Sequence, residues 1–160
     1  MPIAHFEINR NTPKFKFLPT KGMEIIEHAS RKRFLVVEDD FAGQPIWEKI
    51  IRTLEPQAII RWATTSEAAQ ILIEKAMQEG EAFDIVVSDI FLGGKGTGLD
   101  LWKKFHSPSV EFLLMSGMDW KDFVTMVDDV GDIKPCLLQK PFRVADGVST
   151  LATVMASEKL

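Results

Sequence analysis

A doubly wound α/β fold around a five-stranded parallel sheet is the architecture this chain predicts. From Arg33 to Ser157, five short apolar runs alternate with five segments of helical periodicity, the pattern of repeated strand–helix units. The runs are continuous, as in Phe34-Leu35-Val36-Val37 and Phe112-Leu113-Leu114-Met115. Strands covered on both faces require that, whereas a half-exposed strand would alternate. Right-handed crossovers then place helices on both sides of the sheet.

The elements follow in order. Phe34 to Val37 is the first strand. Phe41 to Leu54 carries Ile46, Trp47, Ile50, Ile51 and Leu54 at helical spacing, and Pro56 follows its end. Ala58 to Ala63 reads as the second strand. Thr65 or Ser66 can cap the next helix. Its apolar members are Ala68, Ala69, Ile71, Leu72, Ala76 and Met77, and Gly80 stops it. The third strand begins near Phe83 and ends at Asp89. A glycine-rich loop, Gly93 to Gly98, leads to a helix over Leu99–Phe105, and Pro108 precedes the fourth strand. Asp119 to Val130 is a fourth helix with Trp120, Phe123, Val124 and Val127 on one side. Cys136 to Gln139 is the fifth strand, and Val144 to Ser157 the last helix.

Residues 1–32 are different in kind. His5–Ile8 and Lys14–Phe17 alternate with period two around Asn9-Arg10-Asn11-Thr12-Pro13, which suits a small hairpin. Gly22 to Lys32 suits a short helix. A loosely attached arm fits the same residues equally well. The expected organisation is an N-terminal extension over 1–32 and one α/β domain over 33–160.

Bulk properties narrow the function classes. With 160 residues the chain can bury one real core. Its 46% apolar and 26% charged content is that of an ordinary globular protein. The net charge of −4 argues against a nucleic-acid partner met electrostatically. Residues 1–32 carry +3 of it, leaving −7 for the rest. A single cysteine, Cys136, excludes an intramolecular disulfide framework and fits a reducing compartment. No apolar stretch approaches a membrane span of about 18 residues, so a cytoplasmic protein without membrane attachment is expected.

Four strand ends carry the chemistry. The first strand runs into Glu38-Asp39-Asp40, the third into Asp89, the fourth into Ser116 and the fifth into Lys140-Pro141. In an open parallel sheet, ligands gather at the carboxyl ends of the strands, near the point where strand order reverses. Three acids, a hydroxyl and an amine would therefore share one cleft. Taken singly, each has an ordinary explanation: a solvated turn, a Ser-Gly turn, a surface lysine before a rigid bend. Together, in this order, they suit a divalent cation and a phosphoryl group. Mg²⁺ takes hard oxygen ligands, and phosphoryl transfer rests on positioning and charge stabilisation.

Phe-Leu-Val-Val-Glu-Asp-Asp at 34–40, Ser-Asp at 88–89, Met-Ser-Gly at 115–117 and Lys-Pro-Phe at 140–142 resemble the signatures of the response-regulator receiver domain of two-component signalling. The resemblance spans roughly residues 33–157. It implies a flavodoxin-like, chemotaxis-regulator-like sheet of order 2-1-3-4-5. It also implies Asp89 as phosphoacceptor and Glu38, Asp39 and Asp89 as ligands of Mg²⁺ or Mn²⁺, with the backbone carbonyl of Phe91 beside them. Ser116 and Lys140 would contact the phosphoryl group, and the peptide bond before Pro141 would be cis. Asp40 falls on a variable position, and the switch would run through Ser116 and the position of Leu137. The implied partners are a sensor histidine kinase or histidine phosphotransfer protein and a downstream protein target. The face of the fourth helix, fifth strand and fifth helix would serve partners or a homodimer.

Departures from that pattern are specific. Leu92-Gly93 replaces the usual Met-Pro pair, and Gly98 lies one residue further from Asp89 than the pattern has it; a more mobile loop is the expectation. Leu137 stands where an aromatic often swings on activation. Phe91 and Met118 would flank the phosphoryl site with apolar bulk and shield it from water. With no room for an output domain before Arg33 or after Leu160, a stand-alone phosphoacceptor that is not an enzyme is the leading reading. A phosphorylation-independent interaction module of the same fold is the alternative. An aspartyl-nucleophile phosphatase is set aside, because Phe91 occupies the place of its second carboxylate. Gly93 to Gly98 does not match a P-loop. His5, His28 and His106 lack metal-ligand spacing, and Cys136 reads as an inert core thiol.

Overall fold

The structure, a computed structural model, describes residues 30–128 and 131–157. The expectations for the N-terminal hairpin and most of the short helix after it lie outside the described residues. The strands are β1 (Arg33–Val37), β2 (Ile59–Ala63), β3 (Ile85–Asp89), β4 (Glu111–Ser116) and β5 (Cys136–Gln139). The helices are α1 (Gly43–Leu54), α2 (Ser66–Gln78), α3 (Gly98–Phe105), α4 (Trp120–Val127) and α5 (Val144–Ser157). All strand pairs are parallel, in the order β2-β1-β3-β4-β5, as the resemblance implied.

The continuous apolar strands are explained by two cores. Leu35, Val37, Val86 and Leu114 point to one face, where α2, α3 and α4 contribute Ala69, Ile73, Trp102, Phe123 and Val127. Phe34, Val36, Val87, Leu113 and Met115 point to the other, under Trp47, Ile50 and Ile51 of α1 and Leu151 and Val154 of α5. Alternation by residue thus serves two apolar layers instead of one apolar and one wet face. Each such large side chain, fully buried, contributes about 1.5–3 kcal/mol. On the second face α1 and α5 come close enough that a Cβ at Gly147 would run into the Ile50 side chain.

Helix starts follow the capping residues. The Thr65 hydroxyl accepts from the Ala68 N–H at 3.1 Å, so Thr65, not Ser66, is the cap of α2. Thr97 and Asp100 form a reciprocal capping box on α3, and Asp119 caps α4 through the Asp122 N–H at 2.9 Å. α4 spans Trp120–Val127, and residues 129 and 130 of the expected helix lie outside the described residues. One expectation needs correction. On α2, Ile71 and Met77 are 65% and 55% exposed while Ile73 is buried. At about 100° per residue, the stripe that meets the sheet runs through Ala69, Ile73 and Ala76, and residue 71 falls on the far side.

Candidate functional site

Strand order reverses between β1 and β3, which run side by side with Val37 opposite Ser88. Each strand delivers its next residues to the same opening. Glu38 continues β1, its N–H donating to the Ala63 carbonyl at 3.0 Å, so its side chain enters at a fixed angle and is buried. Asp39 is exposed. Asp40 turns away: its carboxylate accepts from the Ala42 N–H at 2.9 Å and its carbonyl from the Gly43 N–H at 3.0 Å, a local turn that starts α1. Carboxylate oxygens of Glu38, Asp39 and Asp89 lie within 4.8 Å of one another.

Asp89 closes β3 and is buried. The chain after it is pinned on both sides: the Ile90 N–H donates to the Met115 carbonyl at 2.9 Å, and the Ile90 carbonyl accepts from the Gly98 N–H at 2.8 Å. Gly98 is there for lack of space, since a Cβ would overlap the Asp89 carbonyl and crowd the Ser88 hydroxyl. Ser116 ends β4, buried. Its Oγ accepts from the Met118 N–H at 3.0 Å, so its own O–H proton is not committed to that bond. The Ser116 carbonyl accepts from the Lys140 N–H at 2.8 Å, which seats Lys140 at the end of β5. The Lys140–Pro141 peptide bond is cis.

The Lys140 ammonium lies 2.6 Å from Asp89 Oδ1 and 3.4 Å from Glu38 Oε2. One amine therefore serves two buried acids, with a third beside them. The imbalance is visible in Glu38, whose pKa is pushed up to about 7, first by burial and then by its contact with Asp89; the Asp40 N–H and Lys140 pull the other way. Burial pulls the Lys140 pKa down, but the bond to Asp89 and the charges of Asp89 and Glu38 outweigh it, and the net shift is upward. A half-compensated cluster of hard oxygens is the donor set a divalent ion such as Mg²⁺ takes.

The remaining sequence-derived positions divide. Phe91 follows β3 and is 59% exposed. Met118 and Leu137 are half-buried against the core on the α2–α4 side. Cys136 is half-buried, and burial pushes its thiol pKa up. The glycine-rich loop makes two contacts with the start of α2. Thr65 and Gly93 pair as an isolated parallel bridge, and the Lys95 N–H donates to the Glu67 carboxylate at 2.8 Å. Sequence reading missed Glu67. It sits 28 residues from its partner, and an acid in the first turn of a helix already has a local reason to be there.

No protein-family model and no curated protein matches this chain in sequence. Solved structures do match in shape. The chemotaxis response regulator CheY4 of Vibrio cholerae superposes with a TM-score of 0.62 at 19% identity, covering 78% of this chain and 99% of that one. The signal receiver domain of an HD domain-containing protein from Pseudomonas fluorescens Pf-5 gives 0.65 at 17% identity, over 86% and 96%. The BeF3-activated DrrB receiver domain gives 0.58 at 17% identity, over 79% and 98%. The chain has the receiver-domain fold.

Proposed function

We infer that this protein is a response-regulator receiver that accepts a phosphoryl group on Asp89 in a Mg²⁺-dependent reaction and signals through protein–protein contacts. The observation that carries the reading is the convergence of Glu38, Asp39 and Asp89 at one strand-end opening, with a single ammonium between two of them. A scaffold protein gains nothing from burying like charges. A phosphoacceptor needs them to hold an ion that offsets the donor's own charge.

The residues divide the work. An Asp89 carboxylate oxygen attacks phosphorus while the bond from phosphorus to the donor, a histidine nitrogen or an acyl oxygen, breaks and its electron pair leaves with the donor. An acyl phosphate remains on Asp89. Lys140, already at Asp89, is placed to follow the negative charge onto a phosphoryl oxygen. Ser116 can donate its uncommitted proton to another. Mg²⁺ held by Glu38, Asp39 and Asp89, with the Phe91 carbonyl, would neutralise charge on the entering group. Movement of Ser116 and Lys140 toward the new dianion biases the surrounding fold. Leu137 is too small to report that movement as a swinging ring would. The donor is a histidine kinase or phosphotransfer protein, and residues 1–32 are an extension of the domain that follows.

Incubation with Mg²⁺ and acetyl phosphate tests this directly. Intact-mass spectrometry should show the gain of one phosphoryl group, absent when EDTA is present from the start and absent in Asp89→Asn. A folded wild-type chain that gains no mass would instead leave an interaction module that does not use its acids.

A further inference from the structure

We propose that Glu67, on α2 and outside the acidic opening, is a positioning residue: it fastens the β3–α3 loop and thereby sets the wall of the opening beside Asp39. The proposal rests on the reading of that opening as a magnesium-dependent phosphoacceptor site, and it adds a residue that the motifs do not contain.

The loop folds around the Glu67 carboxylate. Its Oε1 accepts from the Lys95 N–H at 2.8 Å. Gly94 adopts φ +96°, and a Cβ there would press against Glu67 Oε2. A left-handed residue without a side chain is what lets the backbone approach so closely. Gly96 leaves no room for a Cβ beside Ser66, the neighbour of Glu67. One residue earlier than Gly94, Gly93 bridges to Thr65. Its other side faces the acids, for a Cβ there would sit 3.9 Å from Asp39 Oδ2. The path from Glu67 to Asp39 is therefore one short turn of backbone, and Phe91 lies two residues before it.

Charge strengthens the fastening. The Lys95 N–H and other backbone donors hold the Glu67 carboxyl below the usual range, so the bond is charge-assisted at any physiological pH. A first-turn acid also favours a helix N-terminus, but that role needs no loop and predicts no effect at Asp39.

The full chain serves for the test. Amide exchange of residues 91–97 is followed by mass spectrometry, and Mg²⁺ binding by tryptophan fluorescence. Glu67→Ala, which introduces a good helix former, should speed exchange of the Lys95 and Gly96 amides by on the order of tenfold. It should also weaken Mg²⁺ binding about tenfold while the chain stays folded. Glu67→Gln keeps an acceptor oxygen and should recover most of both losses. Lys95→Ala keeps the amide and should change neither. Unchanged loop exchange in Glu67→Ala, unchanged Mg²⁺ affinity despite faster exchange, or an equal effect of Lys95→Ala would each overturn the proposal. A wild-type chain that binds no Mg²⁺ would overturn the underlying reading instead, and it is recognised because the failure precedes any substitution.

Discussion

The two ends of the sheet are built from the same strands and treat charge in opposite ways. At the amino end, charges are set against partners. Arg33 Nη2 meets Glu81 at 3.2 Å, and the Arg33 backbone N–H donates to Asp84 Oδ2 at 2.7 Å. The Asp84 carbonyl accepts from the Glu111 N–H at 2.9 Å, and the Asp84 N–H donates to the Arg33 carbonyl. Arg33 Nε is the one buried side-chain nitrogen or oxygen without a hydrogen bond among the described residues. At the carboxyl end, three carboxylates crowd around one amine. The first arrangement sets the Arg33 charge against Glu81. The second costs stability in the absence of an ion, and the two apolar cores on either side of the sheet carry that cost. Like charges are thus least compensated at the carboxyl-end opening, a pattern expected of sites that bind charge.

The largest effect should come from breaking the geometry of the carboxyl end. Gly98→Ala inserts a methyl group against the Asp89 carbonyl. It should lower stability by about 3 kcal/mol, read as an earlier urea midpoint, and displace Asp89 enough to slow phosphorylation. The same change at the exposed Gly117, with nothing near its Cβ position, should do neither.

Next comes the charge imbalance itself. The folded state holds a proton on Glu38 up to about pH 7, against a model-compound value of 4.5. A carboxyl whose pKa rises on folding costs the folded state its stability as pH climbs between those two values. In metal-free buffer, Glu38→Gln has no such proton to lose. Its melting temperature should match wild type near pH 4.5 and exceed it by several degrees at pH 8. A wild-type melting temperature that rises over that interval relative to the variant would contradict the argument.

The smallest effect belongs to the amino end. Asp84→Asn removes the charge from the bond to the Arg33 N–H and should cost about 1 kcal/mol, with phosphorylation by acetyl phosphate unchanged. Reduced phosphorylation in a variant this far along the strand from Asp89 would mean that the two ends are not independent.

Much of this was legible in order along the chain. Strand and helix positions followed from the continuous runs and the helical spacing of apolar residues, because each is a local preference written in neighbouring residues. The burial of Ile73 in place of Ile71 was not, because which stripe of a broadly apolar helix meets the sheet depends on the angle at which the helix lies. The exposure of Phe91 was not legible either, since the direction of a side chain past a strand end is set by the following loop. The bond between the loop and Glu67 was not legible because the two lie on different elements.

Sequence alone determined the parallel sheet covered on both faces and the set of groups at the strand ends, since periodicity and strand termination are properties of short segments. Tertiary structure alone decided how far apart those groups sit, which acid is buried, how one lysine is shared, and that Glu67 reaches the loop. Those quantities depend on contacts between residues 28 to 102 positions apart, and no local pattern specifies the distance between two points that only folding brings together.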